Sequence, residues 1–151
     1  MRTWSVRYMR CRWLAPVVAA VIALEGCDSL GACDHAFEDP VLTIVRVEGS
    51  SVLLNSVTIA DVAIALQPVG NLGSLTTPPA LGISLVNGEL RCDVPCGFGV
   101  QEGRYEFTVK APGYLDHRVT AMARYSRFEG GCPSRNSGST EITLTLTPTA
   151  P

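Results

Sequence analysis

The chain has 151 residues, 12 basic and 14 acidic side chains, and a formal charge of −2. That length suits one domain and a leader. The acidic balance excludes the basic patch that nucleic-acid binding requires, so nucleic acid is not an expected partner.

In chain order, the first feature is a positive, acid-free start. Arg2, Arg7, Arg10 and Arg12 precede or abut an uncharged apolar run over residues 14–24. A positive segment, a short apolar core and a small residue at the end are the parts of an export signal. The run of 11 residues is too short for the ~20 that a membrane-spanning helix needs. Pro16 also argues against the interior of a core helix. After the run, Leu24-Glu25-Gly26-Cys27 resembles the bacterial lipobox, in which the cysteine becomes the first mature residue and takes acyl chains such as palmitate. Glu25 departs from that pattern, which prefers a small or apolar residue there. Leu30-Gly31-Ala32-Cys33 fits better by residue type but is separated from the apolar run by Glu25 and Asp28. Position favours Cys27 as the lipidated residue. Parity agrees, because Cys33, Cys92, Cys96 and Cys132 then remain as an even set, as exported chains favour. Ordinary cleavage near Gly31 or Ala32 would leave the same four and a free, secreted protein. Asp28 resembles an inner-membrane retention signal.

Cleavage before Cys27 removes four arginines and one glutamate. The mature chain then carries 8 basic and 13 acidic residues, a formal charge of about −5. Electrostatic docking on anionic lipid is therefore not expected. Residues 1–26 are read as the signal peptide, 27–40 as an acidic tether, and 41–151 as the folded domain.

From residue 41 onward the pattern is all-β. Residues 42–47 form an apolar run of strand length, and residues 57–60 a weaker one. Residues 61–66 set Val62, Ile64 and Leu66 against alanines. Residues 81–86 form another apolar run. Residues 103–110 alternate Tyr105, Phe107 and Val109 with Arg104, Glu106, Thr108 and Lys110. Residues 118–125 alternate Val119, Ala121, Ala123 and Tyr125 with polar or longer side chains. Residues 141–147 alternate Ile142, Leu144 and Leu146 with glutamate and threonines. Period-two alternation marks strands with one buried face. Turn signals separate them: Gly49-Ser50-Ser51, Asn87-Gly88, which suits a two-residue hairpin, and Pro112-Gly113, which suits a type II turn. Residues 68–79 and 130–139 read as longer loops. About seven short strands with such turns predict an antiparallel β-sandwich.

At residues 103–114, GRYEFTVKAPGY, the pattern resembles the carboxypeptidase-regulatory-like, transthyretin-like β-sandwich family. The resemblance implies a strand, a tight turn and a return strand here, with EITLTLTP near the C-terminus as the closing strand. Tyr105, Phe107 and Val109 would feed the core, and Tyr114 would pack back over the turn. The family commonly decorates exported bacterial proteins and often has no activity of its own. Where the family carries an Asp-x-x-Gly-x-Pro-like turn, this chain has Glu48-Gly49-Ser50-Ser51.

Cys92-Asp93-Val94-Pro95-Cys96 has the spacing of half a zinc site. Cys33 and Cys132 are isolated, however, and export favours disulfides over metal. The preferred pairing is Cys96–Cys132 with Cys33–Cys92, and a local Cys92–Cys96 bridge is the main rival. His35 lies among Asp28, Asp34, Glu38 and Asp39, which reads as a solvated tether rather than a metal site. His117, beside Asp116, reads as an exposed edge residue. No Gly-x-Ser-x-Gly elbow occurs, and no cofactor or metal is implied. Tyr125, Arg127 and Phe128, with Tyr114 and Arg124 nearby, are the candidate binding face for a glycan or an envelope protein. Core packing of Tyr114 and Tyr125 is the competing assignment. The expected function is a non-enzymatic envelope lipoprotein, a structural or binding module held on a membrane by lipid at Cys27. The alternative is a secreted module that binds carbohydrate or protein without an anchor.

Overall fold

Strand formation is clearest at residues 103–110, where the alternating Tyr105, Phe107 and Val109 expose 1% of their surface or less. The computed structural model describes residues 33–150. The expected export signal over residues 1–26, with Cys27 and Asp28, lies outside the described residues. From His35 onward the chain forms one compact unit, and it is all-β and sandwich-like.

The strands are β1 (His35–Phe37), β2 (Leu42–Gly49), β3 (Val52–Leu53), β4 (Ser56–Ile64), β5 (Gln67–Pro68), β6 (Leu81–Val86), β7 (Glu89–Phe98), β8 (Gly103–Lys110), β9 (His117–Ala123), β10 (Arg127–Glu129), β11 (Ser134–Ser137) and β12 (Thr140–Leu146). One large sheet runs β12-β2-β7-β4-β8-β9, with β3, β5 and β6 attached to it. A small sheet holds β1-β11-β10.

The sheet encloses its own core because β7 changes partners. Leu90, Arg91, Cys92 and Asp93 pair with β4, whereas Cys96, Gly97 and Phe98 pair with β2. A strand that passes from one partner to another at a bend makes a corner of a sandwich. The sheet's two ends then meet. Leu115 N–H donates to the Thr147 carbonyl at 2.8 Å, and Arg124 N–H donates to Thr140 Oγ1 at 2.8 Å. Inside, Phe98 makes edge-on contacts with Tyr105 and Phe107, at ring-centroid distances of 6.2 and 5.6 Å. Burying one such ring contributes about 1.5–3 kcal/mol. Ile44, Val47, Ile59, Val119, Leu144 and Leu146 complete the surroundings.

Tyr105 also fixes a corner. Its hydroxyl donates to the Gln101 carbonyl, four residues upstream, at 2.9 Å. That is the geometry of a tyrosine corner in Greek-key sandwiches. The ring of Tyr114 lies against Gly49, where any β-carbon would collide with it. The Pro112-Gly113 turn forms as its residues require, with Gly113 at φ +81° and Tyr114 N–H donating to the Ala111 carbonyl. Asn87 and Gly88 both take positive φ and join β6 to β7.

Several details differ from the sequence expectation. The pair β12–β2 is parallel, not antiparallel; the long stretch between the two supplies the crossover that a parallel pair needs. Residues 57–60 and 61–66 belong largely to one strand, β4, interrupted by a bulge between Ala60 and Ala63. The bulge places Asp61 at φ +53° and breaks the period-two pattern. Within the stretch read as a tether, residues 35–37 form β1, which pairs in parallel with β11. The loop expected over 130–139 contains β11 for the same reason.

Candidate functional site

The small sheet assembles an aromatic face. Its register sets His35 beside Ser134 and Phe37 beside Asn136, with Phe128 on the other side of Asn136. Residues two apart on a strand share a face, so these five side chains project together. Contacts agree with the register. His35 packs on Phe37 with ring centroids 4.8 Å apart, and lies 6.4 Å from the Phe128 ring. His35 Nδ1 and Ser134 Oγ are 2.6 Å apart in a hydrogen bond. Phe128 is 69% exposed and Phe37 36%. Between the two phenyl rings, Asn136 Oδ1 is buried and has no hydrogen-bond partner among the described residues.

Of the three residues proposed from sequence, two reach this face. Phe128 is its most exposed member. Tyr125 borders it, with its ring 5.8 Å from Phe37, but is also held to the body of the domain. Its N–H donates to Glu102 Oε1 at 2.8 Å and its hydroxyl to the Val100 carbonyl at 3.3 Å. Burial, followed by the nearby Tyr105, Glu102 and Asp39, pushes the Tyr125 hydroxyl up to about 12. Arg127 is next to Phe128 on β10 and therefore projects from the opposite side of the small sheet. Arg124 is a strand-end residue whose backbone bonds to Thr140, and Tyr114 belongs to the β8–β9 turn.

Sequence reading does not place His35 and Phe37 on this face, because the stretch around them looks like a polar tether. The missed signal is the alternation of His35, Ala36 and Phe37, too short to stand out alone. The carboxylates near His35 have separate uses. Glu38 pairs with Arg135 at 3.2 Å, and Asp39 Oδ2 accepts from Gly138 N–H at 2.8 Å. His35 meets Ser134 and two phenyl rings rather than a carboxylate. The face thus offers apolar contact and an imidazole, with the Asn136 carbonyl buried beneath it.

The four described cysteines are oxidised, with one correction. Cys92 and Cys96 bond to each other, with Cα atoms 5.5 Å apart. This overturns the preferred pairings Cys96–Cys132 and Cys33–Cys92. The reason is the β7 corner, whose bend returns the chain on itself within four residues and brings the two thiols together. Cys33 and Cys132 are also disulfide-bonded.

No family model matches this chain, and no curated protein or solved structure matches it.

Proposed function

We propose that this protein is an exported, lipid-anchored module of the cell envelope that works through its surface rather than through chemistry. Cys27 is the anchor, and the domain is carboxypeptidase-regulatory-like. The observation that carries export is the oxidation of Cys33, Cys92, Cys96 and Cys132, the set that remains whether cleavage falls at Cys27 or near Gly31. The place of Cys27 at the end of the apolar run supports the anchor. Disulfides persist outside the reducing cytosol. The strand, Pro-Gly turn and return strand formed by β8 and β9 support the family resemblance. Glu25, one residue before the small Gly26, favours the second reading, a secreted module without lipid that engages a glycan or an envelope protein.

Intact mass of the mature protein separates the two. A chain beginning at Cys27 with two or three acyl groups is the expected result. An unmodified N-terminus, with the protein released from membranes, would overturn the anchored reading and leave the secreted one.

A further inference from the structure

We infer that the aromatic face of the small sheet rests on the lipid headgroup surface of the membrane that holds Cys27. The inference builds on the anchored reading above and names the occupant of that face.

Chain length is the first argument. Only residues 28–32 separate Cys27 from Cys33, which is itself tied in a disulfide. Six peptide steps span at most about 20 Å, and the eight steps to His35 at most about 30 Å. A domain of this size is on the order of 35 Å across. The anchor is therefore shorter than the body it holds, and β1, where the chain enters the fold, is the part drawn toward the bilayer.

The chemistry of what lies there is the second argument. Phe128 at 69% exposure and Phe37 at 36% leave phenyl surface in water on the sheet that contains the entry strand. Aromatic side chains gain by entering the interfacial region of a bilayer. Headgroups also supply what a dry apolar partner would not, namely a hydrated zone around the His35 imidazole, which is exposed at the rim of the face. The domain's net negative charge gives anionic lipid no overall attraction, so the contact rests on its apolar rings and should be insensitive to salt. A patch of two rings is weak by itself, but a short tether raises its effective concentration to the millimolar range, which lets a weak contact be occupied.

The native tryptophans, Trp4 and Trp13, precede Cys27 and leave with the signal. A Phe128→Trp substitution in the mature lipidated protein is then a single reporter. In phosphatidylcholine vesicles containing brominated acyl chains, the introduced indole should lose roughly half or more of its emission relative to plain vesicles, since interfacial groups lie within ~5–10 Å of the acyl boundary. Phe37→Trp is a second reporter with the same expectation, and added salt should not restore emission. Leu85→Trp, on exposed β6, should remain unquenched. Unquenched reporters at both Phe128 and Phe37 positions, or equal quenching at the Leu85 position, overturn the docking, including in favour of a protein or glycan occupant. Intact mass of the same sample separates the two failures. An acylated protein without quenching sinks the docking alone, whereas an unacylated one sinks the anchor and the docking with it.

Discussion

A β-carbon placed on Gly82 would stand 2.6 Å from the carbonyl oxygen of Pro95 and 2.7 Å from that of Asp93. Gly82 sits where β6 faces the β7 corner. Leu81 pairs with Gly97 and Ile83 with Cys92, so residues 93–96 arch over Gly82 alone. Its φ of +58° adds a second reason for glycine, because side chains disfavour that region. Both atoms that would meet the new methyl are backbone, so neither can rotate away. Gly82→Ala should cost about 1–3 kcal/mol, the range for overpacking, read as a lowered urea midpoint. A midpoint within error of wild type would show that the arch is soft.

The Cys92–Cys96 bond closes that same arch. The loop is short, so the chain-entropy model assigns it about 2 kcal/mol, near the low end for disulfides. Both cysteines are fully buried, however, and mark the point where β7 passes from β4 to β2. Replacing both with alanine should therefore exceed the entropy figure, by the packing lost as well. Urea unfolding of the double variant tests this. A loss well below about 2 kcal/mol would mean that β-sheet pairing alone holds the corner.

Tyr105 supplies a pH dependence. Burial pushes its hydroxyl up to about 12, against about 10 in an unfolded chain. Between those values the unfolded chain releases this proton while the folded chain keeps it. Stability from this group is therefore complete below pH ~10 and is lost as pH rises toward 12. Tyr125 titrates in the same window. Tyr105→Phe should cost about 0.5–1.5 kcal/mol at neutral pH through the lost bond to Gln101. It should also flatten the alkaline fall in stability. Denaturation midpoints measured from neutral to alkaline pH for both proteins check this, and parallel curves would remove Tyr105 from the account.

Legibility followed the length and regularity of each pattern. In β8, Tyr105, Phe107 and Val109 alternate with polar residues over a whole strand, and the bounds Gly103–Lys110 are those the sequence suggests. β12 and β9 are displaced by only a residue or two. Central β7 leaves no such trace. Leu90 and Cys92 alternate with charges, but Val94 and Pro95 then interrupt the period where the strand bends, and a proline argues against a central strand. β1, β10 and β11 are three or four residues each and gain meaning only from one another. The aromatic face shares that fate. Phe128 stands out in the sequence, but its neighbours come from 91 and 93 positions upstream, at Phe37 and His35. Residues so distant meet through pairing that no local pattern announces.

Glu106 shows the limit of reading a face from alternation, and gives a last prediction. The strand pattern assigns it to the solvent side of β8, yet its side chain is only 11% exposed. Asp61 and Val62, at the β4 bulge, line the same hollow as Glu106, and Ala63 pairs directly with it. The carboxylate is held between Arg104 Nη2 at 2.7 Å and Arg118 Nη2 at 2.9 Å. Arg118 is 76% exposed, so removing it returns little to water and forfeits a well-solvated pair. Arg118→Ala should cost under about 1 kcal/mol. Glu106→Gln removes the group that both guanidinium ions share and weakens two charge-assisted hydrogen bonds. It should cost roughly 1.5–3 kcal/mol, and the loss should persist in high salt because the carboxylate is shielded. Urea unfolding of the two variants at low and high salt compares them directly. Equal costs, or a Glu106→Gln loss that salt abolishes, would place the pair at an ordinary wet surface.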